Sequence, residues 1–331
     1  MALYGQGKTR GKIGILGIEA ATNQACAAIS VGRGVLPEFL FHLLASQYES
    51  IRKLSNTGNQ ENLNGFLVRS IPILLPPFPE QRAIAGALSD VDSLLGALDR
   101  LIAKKRDLKQ AAMQQLLTGR ARLPSFCEDW EVSRLGDHVA FLRNGVNSRA
   151  ELTRDDPVRY LHYGDIHACT KGLLDPSNLP RLPTEEAKTL DRLRDGDLVF
   201  ADASEDLTGV SKSVEICGVG TTELVSGLHT IAARFDKNIL ADGFKAYLQS
   251  CPAFSSQLRR LAAGTKVYAT NRAHIANIEM PLPRVDEQSA IASILSDMDG
   301  EIDVLKRRSD KTRALKQGMM QELLTGKTRL V

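Results

Sequence analysis

The chain contains the stretch EQRAIAGALSDVDSLLGALDRLIAKKRDLKQAAMQQLLTGRARL at residues 80–123, and much of this stretch occurs a second time. The second copy reads EQSAIASILSDMDGEIDVLKRRSDKTRALKQGMMQELLTGKTRL and covers residues 287–330, at a constant offset of 207 positions. The two copies are identical at 24 of 44 aligned positions. An internal repeat of this length predicts that one structural element is built twice in the chain.

Each copy is predicted to form one long helix. Its apolar residues recur at alternating steps of four and three, which is the 3.5-residue period of a coiled-coil seam. Pro79 and Asp286 mark the starts, and Gly119 and Gly326 follow the ends. At 1.5 Å per residue, about 38 residues give a length of roughly 57 Å. The predicted seam residues are Ile84, Leu88, Val91, Leu95, Leu98 and Ile102 in the first copy and Ile291, Leu295, Met298, Ile302 and Leu305 in the second.

Charge is distributed unevenly along both predicted helices. From Glu287 to Asp303 there are five acidic residues and no basic one, whereas residues 306–329 contain eight basic residues and two acidic ones. The first copy shows the same gradient, less cleanly because of Arg82 and Asp107. Antiparallel pairing places each acidic half beside a basic half, whereas parallel pairing sets like charges together. We therefore expect an antiparallel intramolecular coiled coil; the alternative is a homodimeric coiled coil formed by separate chains.

Composition limits the class of protein. A chain of 331 residues suggests two or three domains, and 43% hydrophobic residues is sufficient for buried cores. The net charge is +3, so affinity for nucleic acid would need local basic patches. The five cysteines show no CxxC spacing and are expected to be free thiols in a reducing cytosol. Because no apolar run approaches 18 residues and no signal pattern is present, we expect a soluble cytoplasmic protein without a membrane segment.

The segments outside the repeat are unequal in length. Residues 1–78 match the last part of residues 124–285 in pattern rather than in identity; for example, Lys8 aligns with Lys212 and Asn64 with Asn271. No counterpart of roughly residues 124–204 stands in front of residues 1–78. The predicted domains are a partial domain at 1–78, a first helix at 79–123, a complete domain at 124–285 and a second helix at 286–331.

The complete domain is predicted to mix strands and helices. The segments 158–163 and 197–200 are rich in β-branched or aromatic residues and are bounded by Gly, Pro and Asp, which is typical of strands. Gly164-Asp165 is predicted to be a turn, and residues 244–261 have helical periodicity that ends near Gly264. The predicted fold class is α+β, with mixed α/β domains joined by the two long helices.

Enzyme signatures do not fit the sequence. Gly7-Lys8-Thr9 resembles the end of a phosphate-binding loop, but the first glycine of that motif would fall at Ala2 and no strand precedes it. Leu75-Pro76-Pro77-Phe78 resembles an amino-methyltransferase motif, yet Leu75 stands where Asn or Asp is required. The sequence has no recognisable site for S-adenosylmethionine, for ATP hydrolysis or for DNA cleavage.

The repeated Pro-x-x-x-Glu-Gln block, followed by a long helix that ends in Leu-Leu-Thr-Gly, resembles the spacer regions of the specificity subunits of type I restriction-modification enzymes. Further stretches resemble that family's target-recognition domains, and together they cover essentially the whole chain. They are residues 4–11, residues 22–26, Trp130 with Leu135-Gly136, residues 163–166 and residues 196–200.

This resemblance implies a function and partners. In that family, two target-recognition domains separated by antiparallel helices each read one half of a split DNA site. The helices dock methyltransferase subunits, and their length sets the gap between the half-sites. Here the first recognition domain lacks its front half, so either the gene product is truncated or a partner supplies the missing part. The resemblance implies no cofactor for this chain, while partner methyltransferase and restriction subunits would use S-adenosylmethionine, ATP and Mg²⁺.

Candidate DNA-binding residues occur in both recognition segments. Basic residues among glycines or serines suit phosphate contacts, amide side chains suit adenine, and a basic and aromatic cluster follows Gly264. The candidates are Lys8, Arg10, Lys12, Asn23 and Gln24 in the first segment and Ser211, Lys212, Lys266, Tyr268, Asn271 and Arg272 in the second.

Each candidate also has a purely structural interpretation. The loop around Lys8 can be a solvated turn, and Asn23 and Gln24 can cap or bridge a turn. His162, His167 and His229 lack the spacing of metal ligands, which favours a structural role for them. The basic residues of the helices can form a solvated face.

The sequence therefore predicts a non-catalytic DNA-specificity adaptor with partners of three kinds: double-stranded DNA, methyltransferase subunits and restriction subunits. One alternative is a truncated or exchangeable half-subunit that reads one half-site and pairs with a second copy of itself. The other is an enzyme in its own right, which would require methyl transfer by the isolated chain.

Overall fold

The computed structural model describes residues 1–5, 8–54, 62–204, 209, 212–261 and 268–330. These residues form two compact units: unit 1 consists of Met1–Ala103 and Asp303–Val331, and unit 2 of Lys104–Ile302. The described α-helices are α1 Pro37–Ser46, α2 Tyr48–Lys53, α3 Gly65–Arg69, α4 Phe78–Leu116, α5 Tyr163–Ala168, α6 Thr184–Ala187, α7 Pro252–Leu261, α8 Arg272–Ala276 and α9 Val285–Leu323. Short 3-10 helices cover Leu135–His138, Arg149–Glu151, Pro176–Asn178 and Lys245–Ser250. None of them is both long and apolar enough to cross a membrane.

The strands described as parts of sheets all lie in unit 2. They are β1 Glu131–Arg134, β2 Val139–Phe141, β3 Val158–Leu161, β4 Leu173–Leu174, β5 Arg181–Leu182, β6 Leu198–Ala201, β7 Ala203–Ser204, β8 Ser213–Ile216, β9 Leu224–Ser226, β10 Thr230–Phe235, β11 Tyr268–Ala269 and β12 Glu279–Leu282. The largest sheet has the order β2-β10-β6-β8-β4, and a three-stranded sheet has the order β5-β3-β9. Two further pairs are β1 with β12 and β7 with β11.

Strand β6 occupies the middle of the five-stranded sheet in unit 2. It pairs antiparallel with β10 on one side and with β8 on the other. All four of its residues are buried, because one face packs on a core that includes Phe254 and the other on a core that includes Val214. A strand covered on both faces needs a continuous apolar run, and Leu198-Val199-Phe200-Ala201 supplies it.

Unit 1 packs its short helices against the ends of the long ones. Phe39 and Leu43 of α1 form a cluster with Ile84 and Leu88 of α4 and with Leu323 at the end of α9. A second cluster joins the first residues of the chain to the short helices through Leu3, Leu44, Ile51 and Leu63. The described part of unit 1 contains one isolated β-bridge, between Ala2 and Cys26.

Each unit contains an antiparallel pairing of α4 with α9, as the charge gradients predicted. In unit 1, the Lys316 ammonium donates to the Asp92 carboxylate at 2.6 Å and 2.7 Å. In unit 2, the Lys109 ammonium donates to the Asp299 carboxylate at 2.6 Å. The two ion pairs join equivalent positions of the repeat, because Asp92 aligns with Asp299 and Lys109 aligns with Lys316 at the offset of 207. In each pair, one copy supplies the aspartate and the other supplies the lysine. The expected antiparallel coiled coil is confirmed.

The Glu-Gln pair at the start of each copy makes the same contacts in both units. Arg329 binds Glu80 through two hydrogen bonds of 2.6 Å, and Arg122 binds Glu287 through two of 2.8 Å. The hydrogen bonds from Arg329 lower the pKa of the Glu80 carboxyl. Both glutamates are buried, so each bidentate pair fixes a helix start to the tail of the other repeat copy.

Gln81 and Gln288 each make three hydrogen bonds, and the two sets are equivalent. The Gln81 side chain accepts from the Leu36 amide at 2.9 Å and donates to the Gly34 and Pro76 carbonyls at 2.9 Å. Gln288 repeats the arrangement with the Ala241 amide at 2.9 Å and the Ile239 and Pro283 carbonyls at 2.7 Å and 2.8 Å. Because both side chains are buried, three satisfied hydrogen bonds hold residues 34–36 and 239–241 against the start of the long helix that follows each of them.

Two local predictions for the complete domain are wrong. Tyr163 and the Gly164-Asp165 pair lie in α5 rather than in a strand and a turn, because the Asp165 carboxylate accepts from the His162 amide at 3.0 Å and caps a helix. The predicted helix at 244–261 is interrupted at Cys251, which is extended before Pro252. Gly264 lies outside the described residues.

Candidate functional site

The loops at one edge of the five-stranded sheet of unit 2 form a joined surface. Strand β6 ends at this edge where β10 begins. The Asp202 amide donates to the His229 carbonyl at 3.1 Å, and the Thr270 amide donates to the Asp202 carbonyl at 2.8 Å. Strands β7 and β11 pair beside these bonds. We call this surface the loop edge, defined by residues 162–167, 202–204, 227–230 and 268–272.

Aromatic and imidazole rings cluster on the loop edge. The Tyr163 ring lies 4.4 Å from the His162 ring, 5.5 Å from the His229 ring and 6.1 Å from the His167 ring, measured between centroids. His229 Nδ1 is 3.2 Å from the Asp202 carboxylate, and about half of the His229 side chain is exposed. His162 is buried, Tyr163 and His167 are partly exposed, and His229 is exposed, so the last three rings can contact base edges.

His229 has a backbone φ of 56°, a left-handed conformation that is uncommon for a residue other than glycine. The neighbouring backbone explains why it persists. Buried Tyr160 accepts a hydrogen bond from the Leu228 amide at 2.8 Å and donates one to the Asn147 carbonyl at 3.0 Å. A Cβ at Gly227 would lie 2.2 Å from the Tyr160 ring, so only glycine fits there. Strained residues of this kind concentrate at functional sites.

Basic side chains border the ring cluster. Arg149 binds the Asp165 carboxylate at 2.6 Å and remains half exposed. Burial, and then the charge of Arg149, lower the pKa of the His162 imidazole, so this ring is held neutral. Arg272 donates to the Leu142 carbonyl at 2.8 Å, and its guanidinium lies 5.8 Å from the Phe141 ring centroid. Arg272 is exposed, so its remaining donors face solvent.

The other candidates in unit 2 have structural partners. The Lys212 ammonium donates to the His167 carbonyl at 2.7 Å, which ties the residues before β8 to α5 of the loop edge. The Asn271 side chain accepts from the His274 amide at 2.9 Å and caps α8, so its oxygen is committed to the helix. Tyr268 is half-buried in β11. Ser211 and Lys266 lie outside the described residues.

The candidates in unit 1 separate into exposed and buried groups. Lys8, Lys12 and Gln24 are exposed. Asn23 is exposed too, but its side-chain oxygen accepts from the Ala25 amide at 3.0 Å, which is the turn-bridging alternative considered above. Arg10 is only 6% exposed, so it lies inside the fold, and its phosphate contact stays a prediction.

The predicted seam residues are mostly buried, though not uniformly. Val91, Met298 and Leu305 are half-buried. The remaining predicted seam residues are buried: Ile84, Leu88, Leu95, Leu98, Ile102, Ile291, Leu295 and Ile302.

The sequence interpretation missed Tyr163, His167 and His229 as members of one surface. Tyr163 and His167 are one turn apart in α5, but His229 is distant from them in sequence, and hydrogen bonds between distant residues bring it to the same surface. The one sequence signal for this surface was the stretch Tyr163-Gly164-Asp165-Ile166, which resembles part of a target-recognition domain.

Known proteins have sequences similar to this chain. The sequence profile described as type I restriction modification DNA specificity domain matches residues 3–104. The specificity subunit of the type I restriction enzyme MjaVIII from Methanocaldococcus jannaschii is 25% identical over 311 residues, covering 88% of this chain and 70% of that protein. Over most of its length, the chain is therefore similar to specificity subunits of type I restriction enzymes. A second relative, the putative MjaX specificity subunit of the same organism, is 25% identical over 288 residues and covers 82% of this chain.

Two solved structures of type I restriction-modification proteins have a similar fold. The type I restriction-modification S subunit from M. genitalium gives a TM-score of 0.57 at 15% identity, covering 87% of this chain and 72% of that chain. A chain from a structure of type I restriction-modification complex assembly gives a TM-score of 0.53 at 19% identity, covering 88% of this chain and 71% of that chain. The chain spans 70% of the MjaVIII relative and 63% of the MjaX relative.

Proposed function

We propose that this chain is the DNA-recognition component of a type I restriction-modification complex, and that the complete domain at 124–285 reads one half-site. The observation that carries the proposal is the loop edge. Its half-exposed His229 and its exposed Arg272 come from separate segments, and backbone hydrogen bonds hold those segments at fixed positions. A rigid rim of polar rings and guanidinium groups suits the reading of base edges and the holding of phosphates.

The loop edge divides into two kinds of contact under this proposal. Arg272 and Arg149 hold phosphates, because guanidinium groups at solvent-exposed positions form charge-assisted bonds to them. His229 and Tyr163 contact base edges, since both rings stand at the same surface. Lys212, Asn271 and Tyr268 position the loops that carry these residues.

Unit 1 supplies the second, smaller contact with DNA. Lys8 and Lys12 are exposed ammonium groups for phosphates, and Gln24 is an exposed amide for a base. Asn23 stabilises the turn that presents Gln24. Segment 1–78 is a partial recognition domain in this proposal, and the two helices at 79–123 and 286–331 set the gap between the half-sites.

The helices also offer a face for the partner subunits. Leu94, Leu101 and Leu108 are 40%, 40% and 48% exposed and recur every seven residues along α4. Seven residues are close to two helical turns, so these side chains line one stripe of the helix. An exposed apolar stripe of this kind suits docking of a methyltransferase subunit. Methyl transfer and DNA cleavage belong to the partner subunits, and this chain acts without catalysis.

A methylation assay tests the proposed division of labour. The isolated chain is expected to transfer no methyl group from S-adenosylmethionine, and added methyltransferase subunits should give methylation at a split site. Methyl transfer by the chain alone would contradict the proposal and favour an enzyme.

Replacement of Leu101 by Asp should reduce assembly with the methyltransferase subunit.

Arg272→Ala tests the loop edge directly. Loss of one phosphate contact should weaken DNA binding and reduce the slope of log affinity against log salt by about 0.9. Titration of DNA at several salt concentrations measures both quantities. Lys237→Ala is the matched control, because Lys237 is exposed just beyond the opposite end of β10 and pairs with Asp242. Equal binding by wild type and Arg272→Ala across the salt range would remove the loop edge as the DNA interface.

A second candidate function is that of a half-subunit that reads one half-site and pairs with another copy. The observation that favours it is that, within the described residues, the strands assigned to sheets all lie between Glu131 and Leu282. Among the described residues, only one recognition domain is therefore built on β-sheets. Light scattering of the chain with a full split-site duplex distinguishes a single bound copy from two.

A further inference from the structure

The His229 imidazole on the loop edge is bound through one of its two nitrogens. Nδ1 lies 3.2 Å from the Asp202 carboxylate. Among the hydrogen bonds between described residues, none involves Nε2, and about half of the side chain is exposed. The second nitrogen is therefore available to a ligand from solvent.

The Asp202 carboxylate determines which nitrogen of the ring carries the hydrogen. An ionised carboxylate can only accept a hydrogen bond, so the ring must donate to it from Nδ1. In a neutral imidazole only one nitrogen carries a hydrogen, so Nε2 is left as an acceptor. The Asp202 main chain is fixed as well, because its amide donates to the His229 carbonyl at 3.1 Å and its carbonyl accepts from the Thr270 amide at 2.8 Å.

The main chain and the ring of His229 are both held in place. Its φ of 56° is kept beside the Leu228 amide, which donates to the buried Tyr160 hydroxyl at 2.8 Å. The Tyr163 ring stands edge to face with the imidazole, at an interplanar angle of 87° and a centroid distance of 5.5 Å. The acceptor thus has a fixed position before any ligand arrives, so little side-chain freedom is lost on binding.

A fixed acceptor distinguishes between the bases of one DNA strand. In the major groove, adenine and cytosine present an exocyclic amino group, which is a donor, whereas guanine and thymine present a carbonyl oxygen, which is an acceptor. The minor groove is only about 6 Å wide. Two neighbouring rings with centroids 5.5 Å apart do not fit side by side in it, which directs the Tyr163 and His229 rings to the major groove.

We propose that His229 selects a base with an exocyclic amino group, adenine or cytosine, in the major groove, and that Asp202 is the positioning residue that keeps Nε2 an acceptor. The amino group donates to Nε2, while Nδ1 donates to the carboxylate. Guanine or thymine at the same position would place a carbonyl oxygen against Nε2 and leave both acceptors without a hydrogen. This inference rests on the proposed function of the loop edge and adds the class of base that it reads.

Selection from a random pool of duplexes tests the class of base. The chain with its methyltransferase subunits is compared with the same complex carrying His229→Gly, at about pH 8, where a solvated imidazole is neutral. Glycine adopts a positive φ without strain, so this variant removes the ring and keeps the main chain. One position of the half-site should lose its preference in His229→Gly, and wild type should prefer adenine or cytosine there. Guanine or thymine at that position, or no altered position, would overturn the proposal.

Removal of the amino group from the selected base tests the contact itself. The probe is the selected duplex with purine in place of adenine, or 2-pyrimidinone in place of cytosine. The change should weaken binding of wild type about tenfold more than binding of His229→Gly. Its effect on base pairing is the same for both proteins and cancels in this comparison. An equal loss in both proteins would show that His229 does not contact the amino group.

Asp202→Asn tests the positioning role. An asparagine amide can donate to Nδ1, which moves the hydrogen of the ring to Nε2 and makes that nitrogen a donor. The preference at the His229 position should then change towards guanine or thymine, while the other positions of the half-site stay as in wild type. Asp155→Asn is the matched control, because Asp155 is exposed and precedes β3, whose other end leads to the loop edge. An unchanged preference in Asp202→Asn would exclude the positioning role.

Arg272→Ala, measured on the same preparations, separates failure of this inference from failure of the proposed function. Weaker binding by Arg272→Ala with an unchanged base preference in His229→Gly would overturn the inference alone. Absence of any effect in both variants would overturn the inference together with the loop edge as the DNA interface.

Discussion

At the scale of single residues, equivalent positions of the two units carry different side chains in the same surroundings. His42 lies beside Ser89 and Asp92 in unit 1, and its counterpart Tyr247 donates to Asp299 at 3.2 Å in unit 2. Burial, followed by the charge of Lys316, lowers the pKa of His42, with Asp92 acting in the opposite direction. Burial also raises the pKa of Tyr247, so both groups are held neutral at the helix pair.

His42→Tyr should remove a pH dependence from the stability of unit 1. Below the unfolded-state pKa of about 6.5, the unfolded chain binds a proton that folded His42 does not. The free energy of unfolding therefore decreases as pH falls through that value, and the decrease stops once folded His42 is also protonated. Urea denaturation between about pH 7 and 5 should show a larger decrease in wild type than in His42→Tyr. The contribution of His162 is the same in both proteins, so it cancels when one stability profile is subtracted from the other. Identical profiles of unfolding free energy against pH would refute the assignment to His42.

Lys245→Met should be among the most destabilising single changes in unit 2. The Lys245 ammonium is 3.4 Å from the Glu215 carboxylate, and both side chains are buried. Removing one partner leaves an unpaired buried charge, which costs about 3–5 kcal/mol. Burial already raises the pKa of Glu215. Adding Glu215→Gln removes that charge and should recover at least about 1 kcal/mol; a double variant no more stable than Lys245→Met would contradict this explanation.

At the scale of elements, the helices could be predicted from sequence and the loop edge could not. Helices α4 and α9 depend on local signals: seam periodicity, a charge gradient, and Gly119 and Gly326, whose φ values of 69° and 73° end them. The loop edge depends on hydrogen bonds between residues far apart in sequence, such as Asp202 with Thr270. Pro252 indicates a helix boundary at Cys251, but the helical periodicity on both sides of it predicts a continuous helix.

Lys316→Glu tests the charge pairing that sets the direction of the helices. The change places two carboxylates together at a half-exposed contact, so the expected loss is about 1 kcal/mol. The double variant Asp92→Lys with Lys316→Glu restores opposite charges and should recover most of the loss. Denaturation at low and high salt measures both, because screening reduces the effect. Lys327→Ala, with no described ion pair, is the surface control; a double variant as unstable as the single one would argue against direct pairing.

At the scale of the whole molecule, the proposed gap between half-sites depends on the length of both helices. Asp99 and Arg313 face each other in unit 1, so residues 95–101 of α4 and 307–313 of α9 lie on opposite sides of one stretch of the pair. Deleting one stretch alone would shift every later contact. Deleting both removes one seven-residue repeat, about 10 Å, while preserving the antiparallel register.

The paired deletion should shorten the gap between the two half-sites and leave the sequence of each half-site unchanged. Methylome sequencing of cells that carry the deleted chain with its methyltransferase subunits measures the gap. Deletion of residues 95–101 alone is the control and should abolish methylation, since the remaining ion pairs no longer face each other. An unchanged gap in the paired deletion would exclude the helices as the determinant of spacing.

The hydrogen bonds made by the Gln81 and Gln288 side chains have a consequence for the evolution of such a protein. Both glutamines bind main-chain atoms of the segment that precedes their helix, so these hydrogen bonds place no demand on the side chains of that segment. The apolar contacts beside them, such as Phe39 with Ile84, are the part of the junction that depends on side-chain identity. A different recognition segment that keeps this loop and these apolar contacts could therefore be exchanged by recombination, giving a new DNA preference while the long helices stay unchanged.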